Sequence, residues 1–182
     1  MTSQNRSVLR YGALTVLAVT LGIPAAAKSQ TSAPKLDDPT IVAIFDAANS
    51  YDMETGSLAV SRGHSQAVRD FGGMLIRDHQ NVRQQGRDLA TSLAVTPTPP
   101  PHFALAKAHA AAMRSLRTLT GNAFDRAFLK QEVDFHNAVI DDVTHTLLPA
   151  IQNAQVKDLV TKVAPAFVAH RDRAQNLLDG QK

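Results

Sequence analysis

The sequence contains no cysteine and no tryptophan among its 182 residues. The absence of cysteine excludes disulfide bonds, thiolate metal ligands and lipid attachment to a cysteine, so stability must come from a packed core. Lysine and arginine form no dense block of the kind that marks a nucleic-acid surface, and we expect no nucleic-acid partner. The alternating pattern typical of β-strands is also absent, whereas helical spacing of apolar residues is frequent.

The first 27 residues have the three parts of a secretory signal peptide. Arg6 and Arg10 give a basic start, an apolar run follows over residues 11–23, and Ala25–Ala27 ends the segment with small residues. We expect cleavage after Ala27. The apolar run is shorter than the ~20 residues of a spanning helix. A periplasmic location is therefore the prediction, without a transmembrane segment in the mature chain, and an uncleaved membrane anchor is the alternative.

The rest of the chain is a polar linker followed by one helical domain. Two of the 19 basic residues and none of the 16 acidic residues lie in the signal segment, so the mature chain has a net charge near +1. Residues 28–38 are polar and contain a proline, which predicts a flexible linker. The domain covers residues 39–178, and Asp38 with Pro39 is expected to cap its first helix.

Apolar residues at steps of three and four predict four long helices and one short helix. These helices cover residues 39–62, 66–94, 103–118, 123–150 and 155–178, and the one at 103–118 is short. The proline-rich run Thr96–His102 interrupts the chain before the short helix, because a helix cannot pass through such a run. Pro149 and Pro165 are expected to end or kink the last two helices. The pattern predicts an all-α bundle of four long helices, with the short helix in the crossover between the second and third.

Three glycines lie inside the second helix, where each weakens an exposed helix by about 1 kcal/mol relative to alanine. They are Gly72, Gly73 and Gly86. We expect them to let a neighbouring helix approach closely.

Three of the seven histidines occupy positions where the helical pattern requires an apolar residue. They are His79, His136 and His170, on three separate helices. Counting residues from the connecting turns puts all three at one height along an antiparallel bundle. We therefore expect a buried cluster of three imidazole rings. The remaining histidines, His64, His102, His109 and His145, are expected to face solvent.

Two glutamates are predicted to lie near this cluster. Glu54 is about ten residues before the first turn, and Glu132 lies one turn before His136 on the same face. A transition metal could bind one nitrogen of each ring, with Glu54 and Glu132 as further ligands; without thiolates, such a set suits Zn, Cu or Fe. Alternatively, the rings bind these glutamates, Asp78 or trapped water in a metal-free polar network. Asp78 is expected to contact the rings from outside rather than to bind metal.

Three motifs resemble the signatures of the DUF4142 family. Phe71-Gly72 with Met74-Leu75-Ile76 and Asp78-His79 resembles its central motif, and residues 124–140 and 163–175 resemble two later ones that carry His136 and His170. This resemblance implies a ferritin-like four-helix bundle in an exported bacterial protein, and it implies no particular activity.

A di-iron centre of the ferritin type is not expected. Such centres use Glu-x-x-His pairs, whereas Ile76, Val133 and Phe167 stand three residues before the three histidines. Three functions remain open: metal binding in the periplasm, a structural or interaction role with a metal-free histidine network, and catalysis by a bound metal. Catalysis is the least favoured because no nucleophile or phosphate-loop motif is present. The sequence leaves partners undefined and homo-oligomerisation open.

Overall fold

The structure is a computed structural model that describes residues 36–100 and 103–181. The predicted signal peptide, most of the predicted linker and His102 lie outside these residues. The described part of the chain is helical and contains no strand. None of its helices has both the length and the apolar character that crossing a membrane requires.

Helices form where the apolar spacing predicts them. They are α1 (Asp38–Arg62), α2 (Gln66–Ser92), α3 (Ala104–Arg117), α4 (Gly121–Asp142), α5 (Leu148–Ala150) and α6 (Ala154–Asp179). The predicted helix 123–150 is divided, because a π-helical turn over Val143–Leu147 joins α4 to the short α5. Helix α6 continues through Pro165.

The four long helices form a bundle in which neighbours run antiparallel. Helix α1 packs on α2 and α4, and α6 packs on the same two helices, while α3 lies against α1 and α4. The Asp125 carboxylate near the start of α4 accepts the N–H groups of His64 and Ser65 at the start of α2. Helices α2 and α4 therefore begin at the same end and lie diagonally, so the segment containing α3 is the crossover between them.

A second aspartate clamps the opposite end of the bundle. Asp38 accepts hydrogen bonds of 3.0 Å from the backbone N–H groups of Gln152 and Asn153, at the start of α6. The predicted role of Asp38 as the cap of α1 is wrong, because Asp37 is the capping residue and accepts from the Thr40 N–H. Asp38 instead supplies acceptors to a helix that begins more than a hundred residues later.

The apolar core consists of two clusters separated by polar side chains. One, the Ile41 cluster, includes Ile41, Ala90, Val139, Val143, Val156, Val160 and Phe167. The other, the Phe71 cluster, includes Ala59, Phe71, Leu75, Phe124, Phe128, Leu129 and Ala174. On each long helix, buried polar residues stand between the residues of the two clusters. This polar layer consists of Asn49, Asp52, Thr55, His79, Glu132, His136 and His170.

Glycines allow α1 and α2 to pack with their backbones in contact. A Cβ atom on Gly72 would lie 2.6 Å from the Gly56 carbonyl oxygen and 2.8 Å from the Ala59 Cβ. One on Gly86 would lie 2.8 Å from the Phe45 ring. The prediction of close approach is confirmed at these two glycines and is wrong for Gly73, where a Cβ would have only ordinary contacts, 3.4 Å or more away.

Two adjacent substitutions should therefore have opposite effects on stability. Gly72→Ala should lower the free energy of unfolding by about 1–3 kcal/mol, because α1 and α2 must separate. Gly73→Ala should raise it by up to about 1 kcal/mol, because alanine favours the helix and meets no backbone. Urea denaturation followed by circular dichroism measures both. Equal effects of the two substitutions would contradict the close packing.

Candidate metal centre

The three predicted histidines meet in the polar layer. The ring centroids of His79 and His170 are 4.9 Å apart, those of His136 and His170 are 5.5 Å apart, and those of His79 and His136 are 5.8 Å apart. All three side chains are buried. The predicted convergence is confirmed, since helices α2, α4 and α6 each present one ring at the same height.

Each ring uses its outer nitrogen to donate a hydrogen bond. The Nδ1–H of His79 donates to Asn49 Oδ1 at 3.0 Å, and the Nδ1–H of His136 donates to the Glu132 carbonyl oxygen at 2.9 Å. The Nε2–H of His170 donates to Asp78 Oδ2 at 3.1 Å. Asp78, whose side chain is 47% exposed, thus contacts the cluster from outside, as predicted. These acceptors fix the tautomer of each neutral ring.

The inner nitrogens consequently carry lone pairs that face one another. His79 Nε2 and His170 Nδ1 are 3.1 Å apart, and His136 Nε2 has no hydrogen-bond partner. Burial, with the neighbouring His170 and His136 rings, lowers the pKa of His79 to about 2. Burial also lowers the pKa of His136 to about 4. Burial thus disfavours a proton on these rings, and a cation bound between them would relieve the opposed lone pairs.

Two buried carboxyl groups adjoin the rings. Asp52 Oδ2 lies 3.4 Å from His79 Nε2, and Glu132 Oε2 lies 3.6 Å from His136 Nδ1. Burial and the adjacent Glu132 carboxyl raise the pKa of Asp52 well above its ordinary value. Burial likewise raises the pKa of Glu132 to about 7. Both groups are thus poor at holding charge unless a cation is close to them.

Glu54 does not belong to this cluster, and its predicted position is wrong. Its side chain is 57% exposed, and its Oε2 accepts a 2.8 Å hydrogen bond from His109 Nε2 on α3. His109 was expected to face solvent but is buried, because its ring stacks on Tyr51 with centroids 4.2 Å apart. His64 and His145 are exposed, as predicted.

Sequence reasoning missed Asp52 and Asn49 because the buried stripe of α1 was misassigned. The predicted position of Glu54 requires its face of α1 to be buried, whereas the structure buries the face with Asn49, Asp52, Thr55 and Gly56. Counting residues from the first turn could have identified Asp52. Asp52 lies 13 residues before Ser65 and His79 lies 14 after it, so Asp52 matches the height of the ring more closely than Glu54 does.

The layer offers two overlapping groups of metal-ligating atoms. One ligand atom from each of His79, His136 and His170 lies within 4.8 Å of the others, and the same holds for Asp52, Glu132 and His136. Three imidazole nitrogens with adjacent carboxylates are typical ligands of divalent transition metals. Of the five predicted ligands, the structure brings together four, without Glu54.

Removing the acceptor of the His79 ring should destabilise the protein. Asn49→Leu leaves the buried Nδ1–H of His79 without a partner, and we expect a loss of about 1–3 kcal/mol in the free energy of unfolding. Ser50→Ala is the matched control, since Ser50 donates only to the Asp46 carbonyl of its own helix. Urea denaturation in the presence of a chelator measures both. An Asn49→Leu variant as stable as the control would contradict the assigned hydrogen bond.

Comparison with known proteins supports the fold and identifies the family. The fold is similar to the crystal structure of a DUF305 fragment from Deinococcus radiodurans, with a TM-score of 0.68 and 14% identity, covering 78% of this chain and 94% of that one. It is also similar to CopM in the Cu(II)-bound form, with a TM-score of 0.61 and 12% identity, covering 79% and 98%. No curated protein matches the sequence. The model of the domain of unknown function DUF4142 matches residues 23–177, so the chain belongs to the DUF4142 family.

Proposed function

We propose that this protein binds one transition-metal ion at the centre of its helical bundle, through His79, His136 and His170. The observation that carries the proposal is the direction of the three rings. Each outer nitrogen has its acceptor, and the inner nitrogens of His79 and His170 approach to 3.1 Å. A metal ion is the partner that satisfies lone pairs in this arrangement, and acceptors on the opposite nitrogens orient metal-binding histidines in the same way.

The alternative of a metal-free polar network explains fewer contacts. Such a network accounts for Asn49, the Glu132 carbonyl and Asp78 as partners of the outer nitrogens. It leaves the buried Nε2 of His136 without a hydrogen bond, and it pairs the buried Asp52 carboxyl only with the neighbouring Glu132 carboxyl. Buried polar atoms in folded proteins are nearly always paired, which favours an ion in the layer.

The chemistry of the ligands favours Zn, Cu or Fe. The ligands are imidazole nitrogens and carboxylates, and the chain has no thiolate to favour a softer ion. The similarity to a Cu(II)-bound protein is a reason to include copper among the ions tested. We further propose a ferritin-like order of the four helices, because, among the described helices, the long connection joins the diagonal α2 and α4. A role in metal handling or stress tolerance follows, rather than catalysis.

Metal content of tag-free protein tests the proposal. After incubation with Zn(II), Cu(II) or Fe(II) and desalting, the wild type should retain about one ion per chain, and His136→Gln should retain less than ~0.1, because one of the three imidazole ligands is lost. His145→Gln is the matched control, since the side chain of His145 is 71% exposed. At a hundredfold excess of free ion over Kd, binding should add about 2.7 kcal/mol to the free energy of unfolding. The melting temperature should rise as a result.

Two results would contradict metal binding. Wild-type protein that retains none of the three ions, with no thermal shift, would favour the metal-free network. Equal losses in His136→Gln and His145→Gln would show that surface histidines bind the metal.

We also propose that the protein is exported and that its leader is removed. The support is the basic, apolar and small-residue order of residues 1–27. Intact mass of the protein from a periplasmic extract should correspond to a chain that begins at Lys28. A mass that includes residues 1–27, found in the membrane fraction, would instead support an uncleaved anchor.

A further inference from the structure

Four unpartnered polar atoms share the inside of the polar layer. They are both carboxyl oxygens of Asp52, Oε2 of Glu132 and Nε2 of His136. Each is buried without a hydrogen bond of good geometry in the described part of the chain, although the Asp52 and Glu132 carboxyl groups interact with each other. Asp52 and Glu132 each have 1% exposure. Leaving several such atoms unpaired in one place is costly, and three imidazole ligands alone do not explain why two carboxyl groups are buried beside them.

The position of Asp52 matches that of a metal ligand. Two ligand atoms bound at 2.0–2.1 Å to one tetrahedral ion lie about 3.3–3.4 Å apart. Asp52 Oδ2 is 3.4 Å from His79 Nε2, and His79 Nε2 is 3.1 Å from His170 Nδ1. Both spacings are close to that value. An Asp52 oxygen also lies within 4.8 Å of a ring nitrogen of His136, but Asp52 groups with Glu132 and His136 rather than with all three rings, so binding of one ion must draw these atoms closer together. With Asp52, helix α1 places a metal-ligating atom beside the histidine rings of α2, α4 and α6.

The geometry points to Asp52 as the fourth ligand of the proposed ion, which would then bind three imidazole nitrogens and one carboxylate oxygen. This inference rests on the proposed function and names the class of metal. One carboxylate among neutral rings favours a divalent ion, Zn(II), Cu(II) or Fe(II), over Cu(I), because the softer ion prefers thiolate and thioether ligands. Glu132 beside Asp52 is a positioning residue. A set of four protein ligands is closed to water, as in sites that hold an ion rather than react through it.

The substitution Asp52→Cys tests directly whether position 52 binds the ion, because the protein has no cysteine of its own. The chain has no other thiol, so a sulfur-to-Co(II) charge-transfer band in the near ultraviolet can arise only when position 52 binds the ion. We expect about one Co(II) per chain and this band in Asp52→Cys. The matched control is Glu54→Cys, two residues away on the same helix at a position with 57% exposure, and it should bind Co(II) without the band.

A second variant removes the proposed carboxylate ligand and tests the affinity for metal. Asp52→Asn keeps the shape of the side chain but replaces one carboxylate oxygen by an amide nitrogen and removes the negative charge. We expect the affinity of this variant for Zn(II) and Co(II) to fall at least tenfold. Glu54→Gln should bind like the wild type. Circular dichroism of the chelated proteins verifies that each variant is folded, and the wild-type X-ray absorption spectrum of bound Zn(II), with four nitrogen or oxygen neighbours, provides a measurement that needs no variant.

The outcomes separate the two proposals. If the wild type binds none of Zn(II), Cu(II), Fe(II) or Co(II), the proposed function fails. If it binds Co(II), but Asp52→Cys shows no charge-transfer band and Asp52→Asn binds as tightly as the wild type, the three-histidine site stands and the role of Asp52 is wrong. A zinc spectrum with six light-atom neighbours would also overturn the closed set of four ligands.

Discussion

The structure depends on a layer of buried polar side chains that divides its apolar core into two clusters. A polar group without a partner in such a place weakens the fold, so the layer is stable only if its atoms are paired. The three imidazoles meet this requirement on their outer side, through Asn49, the Glu132 carbonyl and Asp78. On their inner side, the Asp52 carboxyl lies 3.4 Å from the Nε2 of His79. The outer bonds hold the rings, and the inner atoms are left for a ligand.

The heights of the helices are fixed from the two ends of the bundle. Asp125 binds the backbone at the start of α2, and Asp38 binds the backbone at the start of α6. Each carboxylate accepts the N–H groups of a helix-capping residue and of the residue before it. Because both clamps join helices that are distant in sequence, they limit sliding of one helix along another. A slide of one residue would move a ring by about 1.5 Å, which is larger than the whole spread of the contact distances between ionisable side chains in the layer, 3.1–3.6 Å.

Periodicity and residue counting predicted most of the fold and part of the site. Helices α2, α4 and α6 have apolar stripes in which a histidine replaces one apolar residue. The sequence pattern therefore identified both the buried face of each helix and its buried histidine. Helix α1 is different, because alanine, glycine, serine and threonine occur around its whole circumference. Small residues do not distinguish a buried face from an exposed one, and Asp52 and Glu54 lie about 200° apart around the helix. The choice of Glu54 over Asp52 followed from this ambiguity, and so did the expectation that His109, the partner of Glu54, faces solvent.

A chain without disulfides has few ways to strengthen a core that is divided by polar groups. Hydrophobic burial acts separately in the Ile41 and Phe71 clusters, and only the helices themselves connect the two. An ion bound as proposed would tie all four long helices together at the height where polar side chains separate the two clusters, since α1, α2, α4 and α6 would each contribute one ligand. Ion binding and folding would then be coupled, because the unfolded chain does not hold these four groups together. The same buried carboxyl groups that burden the metal-free bundle would favour the metal-bound one.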